Sequence, residues 1–227
     1  MKQKICLVAC GLALLLLQGF TGNEGGMRPA HLTGIPERAI HELRPGDILV
    51  RPNHNWWPGT SIVPGGSDFG HAAIVVEGAK NTDLLKLLSE TVVFESQARK
   101  VPEEYQLRKV AAYAPGEDFR YANENFSPYH RGSRYLIRPG LGQQAIDSLI
   151  AYVLKQDDGL SSWRAIKGHA GKKQGAGSRW YCSLLIWQAY HDVLGIDLDG
   201  NKGLIFYPND LINSPGFRDG KTMIVRF

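Results

Sequence analysis

The sequence predicts an α+β fold in which an antiparallel sheet packs on helices. Three observations carry this expectation. Short β-branched runs bounded by Gly and Pro occupy residues 48 to 138. After Gln143 the apolar residues change to helical spacing. The strongest helical pattern, Ser183 to Leu194, is closed by Gly195 and opens at Cys182. With 227 residues, 43% of them hydrophobic, the chain can bury one sizeable core, so a single domain is expected over residues 39–227.

Met1, Lys2, Gln3 and Lys4 precede an apolar run from Ile5 to Leu17, the pattern of an export signal. The run falls short of the roughly 20 apolar residues of a spanning helix. Residues 1–22 are therefore expected to be an export signal or, because no small-x-small cleavage triplet follows, a retained N-terminal anchor. Either points to the periplasm or cell envelope, with membrane attachment through the N-terminus in the second case. Residues 23–38, with Gly25, Gly26, Pro29, Gly34 and Pro36, form an unpatterned, flexible lead-in.

Arg44-Pro45-Gly46-Asp47 reads as a turn feeding the strand Ile48-Leu49-Val50, and a Pro-, Gly- and Trp-rich loop spans Pro52 to Gly70. His71 to Glu77 (HAAIVVE) and Thr91 to Gln97 (TVVFESQ) read as strands. Between them, leucines at 84, 85, 87 and 88 fit either a helical turn or a hairpin tip. Lys109 to Tyr113 and Arg134 to Arg138 are further extended pieces. Gln143 to Gln156 is an amphipathic helix, stopped by Asp157-Asp158-Gly159. Lys167 to Ser178 reads as mobile loop. Pro208 to Ile212 is a short helix start with Asn209 or Asp210 placed to cap it, and Met223 to Phe227 a terminal strand.

The formal charge is +4, and without residues 1–22 the loss of Lys2 and Lys4 leaves +2. Neither that balance nor the scattered basic residues suit a nucleic-acid partner. The cysteines are Cys6, Cys10 and Cys182, so removal of the N-terminal segment leaves one thiol and no disulfide framework. A lone cysteine is ordinarily a small buried hydrophobe. Cys182 differs in standing at the start of a helix, where unpaired N–H groups and the macrodipole favour the thiolate and offer donors to an oxyanion. It is the candidate nucleophile.

A thiolate nucleophile needs a base. Of the seven histidines, five lie in predicted loops or termini, and His191 sits nine residues along the Cys182 helix, about 13 Å away. His71, opening a strand after Gly70, is rigidly placed. A polar group should orient its ring from the neighbouring strand; Glu77 is roughly 20 Å along the same strand, whereas antiparallel pairing brings Glu95 or Gln97 beside it. Glu95, a charge in the apolar run Val92-Val93-Phe94, is chosen, with Gln97 second. Tyr181, Trp56 and Trp57 are candidate substrate contacts, the tryptophans because flat apolar surface can wall a groove. Asp197-Leu198-Asp199-Gly200-Asn201 lacks the spacing of a calcium loop, and no zinc pattern is present, so neither metal nor cofactor is expected.

Taken in order, Gly46-Asp47-Ile48-Leu49, His71-Ala72-Ala73-Ile74-Val75, Glu95, Tyr181-Cys182-Ser183 and Pro208-Asn209-Asp210-Leu211 resemble the circularly permuted papain-like enzymes of the NlpC-type superfamily, especially the YiiX- and YaeF-like group. The resemblance covers residues 40 to 215. It implies a permuted papain-like fold with the catalytic cysteine at a helix N-terminus, and cleavage of an amide in a peptide or cell-wall fragment through a Cys-His-Glu triad. Leu184 stands where the group often has Glu, and His-Ala-Ala-Ile replaces His-Val-Gly-Ile, which bears on substrate more than on reaction. The competing expectations are acyl transfer or ester hydrolysis on a lipid-like substrate, as in the related lecithin-retinol acyltransferase-like branch, and a catalytically silent binding module.

Overall fold

The computed structural model describes residues 34–52, 69–97, 106–114, 126, 134–157, 159–162, 165–167 and 178–227. The expected signal or anchor, most of the lead-in, and the Trp56-Trp57 loop lie outside these residues, as does nearly all of the expected loop from Lys167 to Ser178. Among the described residues no helix is long and apolar enough to cross a membrane.

The strands are β1 (Glu42–Leu43), β2 (Ile48–Pro52), β3 (Phe69–Glu77), β4 (Ala79–Lys80), β5 (Val92–Gln97), β6 (Gln106–Ala111), β7 (Tyr135–Arg138), β8 (Leu160–Ser161), β9 (Arg179–Trp180) and β10 (Met223–Arg226). The helices are α1 (Leu84–Glu90), α2 (Gln143–Leu154), α3 (Cys182–Leu194) and α4 (Pro208–Asn213). The main sheet has the order β10-β7-β2-β3-β5-β6-β8-β9, and β1 pairs β4 in a separate ribbon. The fold is mixed α+β with the expected antiparallel sheet, except at one edge, where β8 and β9 run parallel. Two-residue strands carry no periodicity from which that pairing can be read.

The continuous apolar character of HAAIVVE has a simple cause: both faces of β3 are covered. Ala72, Ile74 and Val76 face a core shared with Leu149 and Val153 of α2 and Leu184, Leu185 and Tyr190 of α3. Ala73 and Val75, pointing the other way, pack with Leu49, Val93, Leu136, Leu87 and Leu88 of α1, and Phe126. Each fully buried aliphatic or aromatic side chain contributes about 1.5–3 kcal/mol. Helix α3 is buried over its first nine residues, Cys182 to Tyr190, and ends where Gly195, at φ 65°, donates its N–H to the His191 carbonyl at 3.0 Å.

The leucine-rich stretch 84–88 resolves as helix because Asp83 caps it, its carboxylate accepting from the Leu85 and Lys86 N–H groups at 2.9 and 3.2 Å. Strand β6 starts at Gln106, three residues before its expected start. At α4 the cap is Tyr207, not Asn209 or Asp210; Asp210 instead accepts the Tyr207 N–H at 2.7 Å from inside the first turn. Residues 36–38, from the end of the expected lead-in, are bonded to β10: Arg226 N–H to the Pro36 carbonyl at 3.0 Å and Arg38 N–H to the Arg226 carbonyl at 2.9 Å.

The Gly46-Asp47 turn locks β2 to its neighbours. The buried Asp47 carboxylate accepts from the Arg44 N–H at 2.8 Å and from Arg138 of β7 at 2.7 and 2.9 Å, while Arg138 also donates to the Glu42 carbonyl. Gly46 holds φ 88°, and a Cβ there would lie 2.9 Å from Ile146 Cγ2. Gly46→Ala is therefore expected to destabilise the fold by about 1–3 kcal/mol, read as a lowered urea midpoint with unchanged slope.

Candidate active site

Three separate elements deliver the side chains. His71 lies on β3, Glu95 on β5 and Cys182 at the first residue of α3. The Ile74↔Phe94 register puts Glu95 on the same face as His71, one step along the ladder. There His71 Nε2 lies 2.7 Å from Glu95 Oε2. With Nε2 engaged, Nδ1 is the ring nitrogen left for the hydrogen bond that His71 shares with Cys182. His71 is 3% exposed, Glu95 1% and Cys182 5%. Phe126 packs against the imidazole with ring centroids 5.7 Å apart.

The sulfur is also approached by backbone N–H groups of Ala72 and Ser183. Burial alone would push the thiol up; the hydrogen bond and charge of His71, helped by those two N–H groups, outweigh it and hold the thiol below its ordinary value. His71 moves the opposite way. Burial disfavours its charge, but the Glu95 carboxylate and the bond to Cys182 raise it above the ordinary imidazole value. The two shifts together favour a thiolate–imidazolium pair.

Glu95 has a further partner that sequence reasoning missed. Arg108, its direct cross-strand partner on β6, donates to Oε1 through Nε at 2.8 Å and pairs its charge with the same oxygen through Nη2 at 2.7 Å. Burial opposes the Glu95 charge, yet His71 and Arg108 hold the carboxyl at about 2. The register was the missing signal: a strand started at Lys109 leaves Arg108 just outside it. Glu77 plays no part, being exposed and paired with Lys109.

The residues flanking Cys182 act as a clamp. Tyr181 accepts the Phe206 N–H on its hydroxyl at 2.9 Å, and Ser183 donates its hydroxyl to the Phe206 carbonyl at 2.6 Å. Ser96 of β5 donates to the Trp180 carbonyl at 2.9 Å. Tyr181, expected as a substrate contact, is 3% exposed with its hydroxyl engaged on Phe206, so it braces the segment before α4. The Gln97 side chain, Trp56 and Trp57 lie outside what the structure describes.

Among the described residues no group of three or more His, Cys, Asp or Glu is arranged to hold a metal ion. The Asp197–Asn201 segment is a run of Asx turns, with Asp199 N–H on Asp197 at 2.9 Å and Asn201 N–H on Asp199 at 3.0 Å. The Lys167 ammonium pairs with Asp199 and lies 5.3 Å over the Trp187 ring.

The depressed Glu95 carboxyl makes stability depend on acid. Its ordinary value is 4.5 and its folded value about 2, so the unfolded chain binds the extra proton between them. The stabilisation is complete above 4.5 and lost as pH falls through 4.5 towards 2, on the order of 3 kcal/mol in all. Urea midpoints measured across that window are expected to fall steeply for the natural chain and much less for Glu95→Gln.

No protein-family model matches this chain, and no curated protein matches it. Among solved structures, the crystal structure of the metalloprotein YiiX from Escherichia coli O157:H7 (DUF1105) superposes with a TM-score of 0.44 at 15% identity, covering 81% of this chain and 96% of that one.

Proposed function

We propose that this chain is an exported cysteine hydrolase that cleaves an amide bond in a peptide or cell-wall peptide fragment, with Cys182 as nucleophile, His71 as its base and Glu95 as the group that orients His71. The observation that carries the reading is a single imidazole joined on one side to a buried carboxylate at 2.7 Å and on the other to a thiol at a helix N-terminus. The resemblance to NlpC-type enzymes supplies the substrate class, and the export-signal pattern of residues 1–22 supplies the cell-envelope setting.

The thiolate adds to the amide carbonyl and its electron pair moves onto the oxygen. That oxyanion is met by first-turn N–H groups of α3, which have no partner within the helix. Imidazolium His71 gives its proton to the departing nitrogen, the C–N bond breaks, and a thioester remains on Cys182. Neutral His71 then takes a proton from water, whose oxygen attacks the thioester and releases the acid and the thiolate. Glu95 keeps the ring in one orientation throughout and stabilises its charged form.

Alkylation by iodoacetamide near neutral pH tests the first requirement. Cys182 is expected to label rapidly in the folded natural chain and at least about tenfold more slowly in His71→Ala; labelling that needs denaturant would falsify the reading. Assay against cell-wall peptide fragments and acyl lipids then tests the bond. Loss of amide cleavage by about a thousandfold or more in Cys182→Ala is the expected result, whereas Cys182-dependent turnover of the lipids alone would move the assignment to acyl transfer.

A further inference from the structure

We propose that Arg108 is a positioning residue for the Cys182 site, a permanent cation that keeps Glu95 ionised and aimed at His71 through both halves of the reaction. The inference rests on the hydrolase reading and adds to it a residue outside the Cys-His-Glu set.

The geometry divides Glu95 between two donors. Oε2 belongs to His71 and Oε1 to Arg108, so the carboxylate is held at both ends. Arg108 comes from the strand on the far side of β5, and the Glu95↔Arg108 pairing is direct, which places the two side chains on one face. Arg108 itself is partly open to solvent, its side chain 28% exposed against 1% for Glu95. A guanidinium at the rim keeps much of its hydration while lending its charge to a carboxylate that has lost its own.

The reaction makes this arrangement consequential. While His71 carries a proton, Glu95 has a cationic neighbour in the ring itself. Once that proton has passed to the leaving amine, the imidazole is neutral and no longer compensates the buried carboxylate. A carboxylate with 1% exposure beside a neutral ring would take up a proton itself and lose its hold as an acceptor. Arg108 never deprotonates, so its charge still compensates Glu95 in that half of the cycle. Among the described residues, the charged groups placed around this pair are Arg108 from β6, Cys182 from α3 and, across from His71 on β2, the buried Arg51.

The test is the pH dependence of Cys182 alkylation and of amide cleavage in Arg108→Gln, Arg108→Lys and, as a control on the same strand, Lys109→Gln. Arg108→Gln is expected to lower the rate by about tenfold or more, a part of the factor a general base contributes. Its acid limb should move to higher pH, because Glu95 protonates more readily without the cation. Arg108→Lys should return the acid limb to its original place, since the charge is restored, while the rate stays several-fold low for want of the two-nitrogen grip on Oε1. Lys109→Gln should match the natural chain. If Arg108→Gln keeps the natural rate and pH profile, or loses rate only in proportion to its unfolded fraction with the profile unmoved, the proposal is overturned. Should Arg108→Gln not fold, an unreduced rate in Arg108→Lys overturns it equally. Failure of the hydrolase reading looks different: the natural chain would then not label rapidly, or His71→Ala would label as fast.

Discussion

A carboxylate buried to 1% exposure has to be compensated by its surroundings, and Glu95 sets that requirement for this fold. Three strands are in register so that it can be met. Strand β5 carries the charge, β3 supplies His71 on one side and β6 supplies Arg108 on the other. A slip of one residue between β5 and either neighbour would turn Glu95 to the opposite face and into the apolar core shared with α2 and α3. The apolar side chains between which these strands lie, Phe94 on one face and Val93 on the other, are what hold the register.

The position of the sulfur follows from a second set of constraints. A helix that begins at Cys182 has to arrive with its first turn against the start of β3, close enough for the Ala72 N–H to reach the sulfur. The side chains of its neighbours in sequence accomplish this. Tyr181 and Ser183 grip the two polar groups of the Phe206 backbone, and Ser96 fastens the Trp180 carbonyl to β5. Because β5 also bears Glu95, the sulfur's approach and the carboxylate are referenced to the same strand.

Much of this arrangement is legible from residues alone, and the boundary of legibility is physical. His71 and Glu95 stand out because a polar group in an apolar run is costly unless paired, and the pairing partner has to come from a neighbouring strand. Cys182 stands out because Gly195 and the apolar spacing between them define a helix whose first residue it is. Arg108 does not stand out: an arginine on a strand is ordinary, and only the β5–β6 register shows what lies opposite. The leucines of α1 are ambiguous as a short apolar run and are decided by a single capping bond from Asp83. The Tyr181 and Ser183 clamp depends on Phe206, more than 20 residues away, and so has no local pattern. The parallel β8–β9 pairing has too few residues to leave one.

His71, Glu95 and Arg108 belong to neighbouring strands close together along the chain, whereas Cys182 lies far beyond them and reaches the site only when α3 docks. Closing so long a loop is entropically dearer than pairing adjacent strands, so the charge network has the shorter route to assembly. Until the helix docks, the sulfur has neither the imidazole nor the Ala72 amide beside it and is an ordinary, mostly protonated thiol. A nascent or partly folded chain thus lacks the surroundings that lower this thiol. The lowered thiol belongs to the docked helix rather than to the residue, which ties it to completion of the fold.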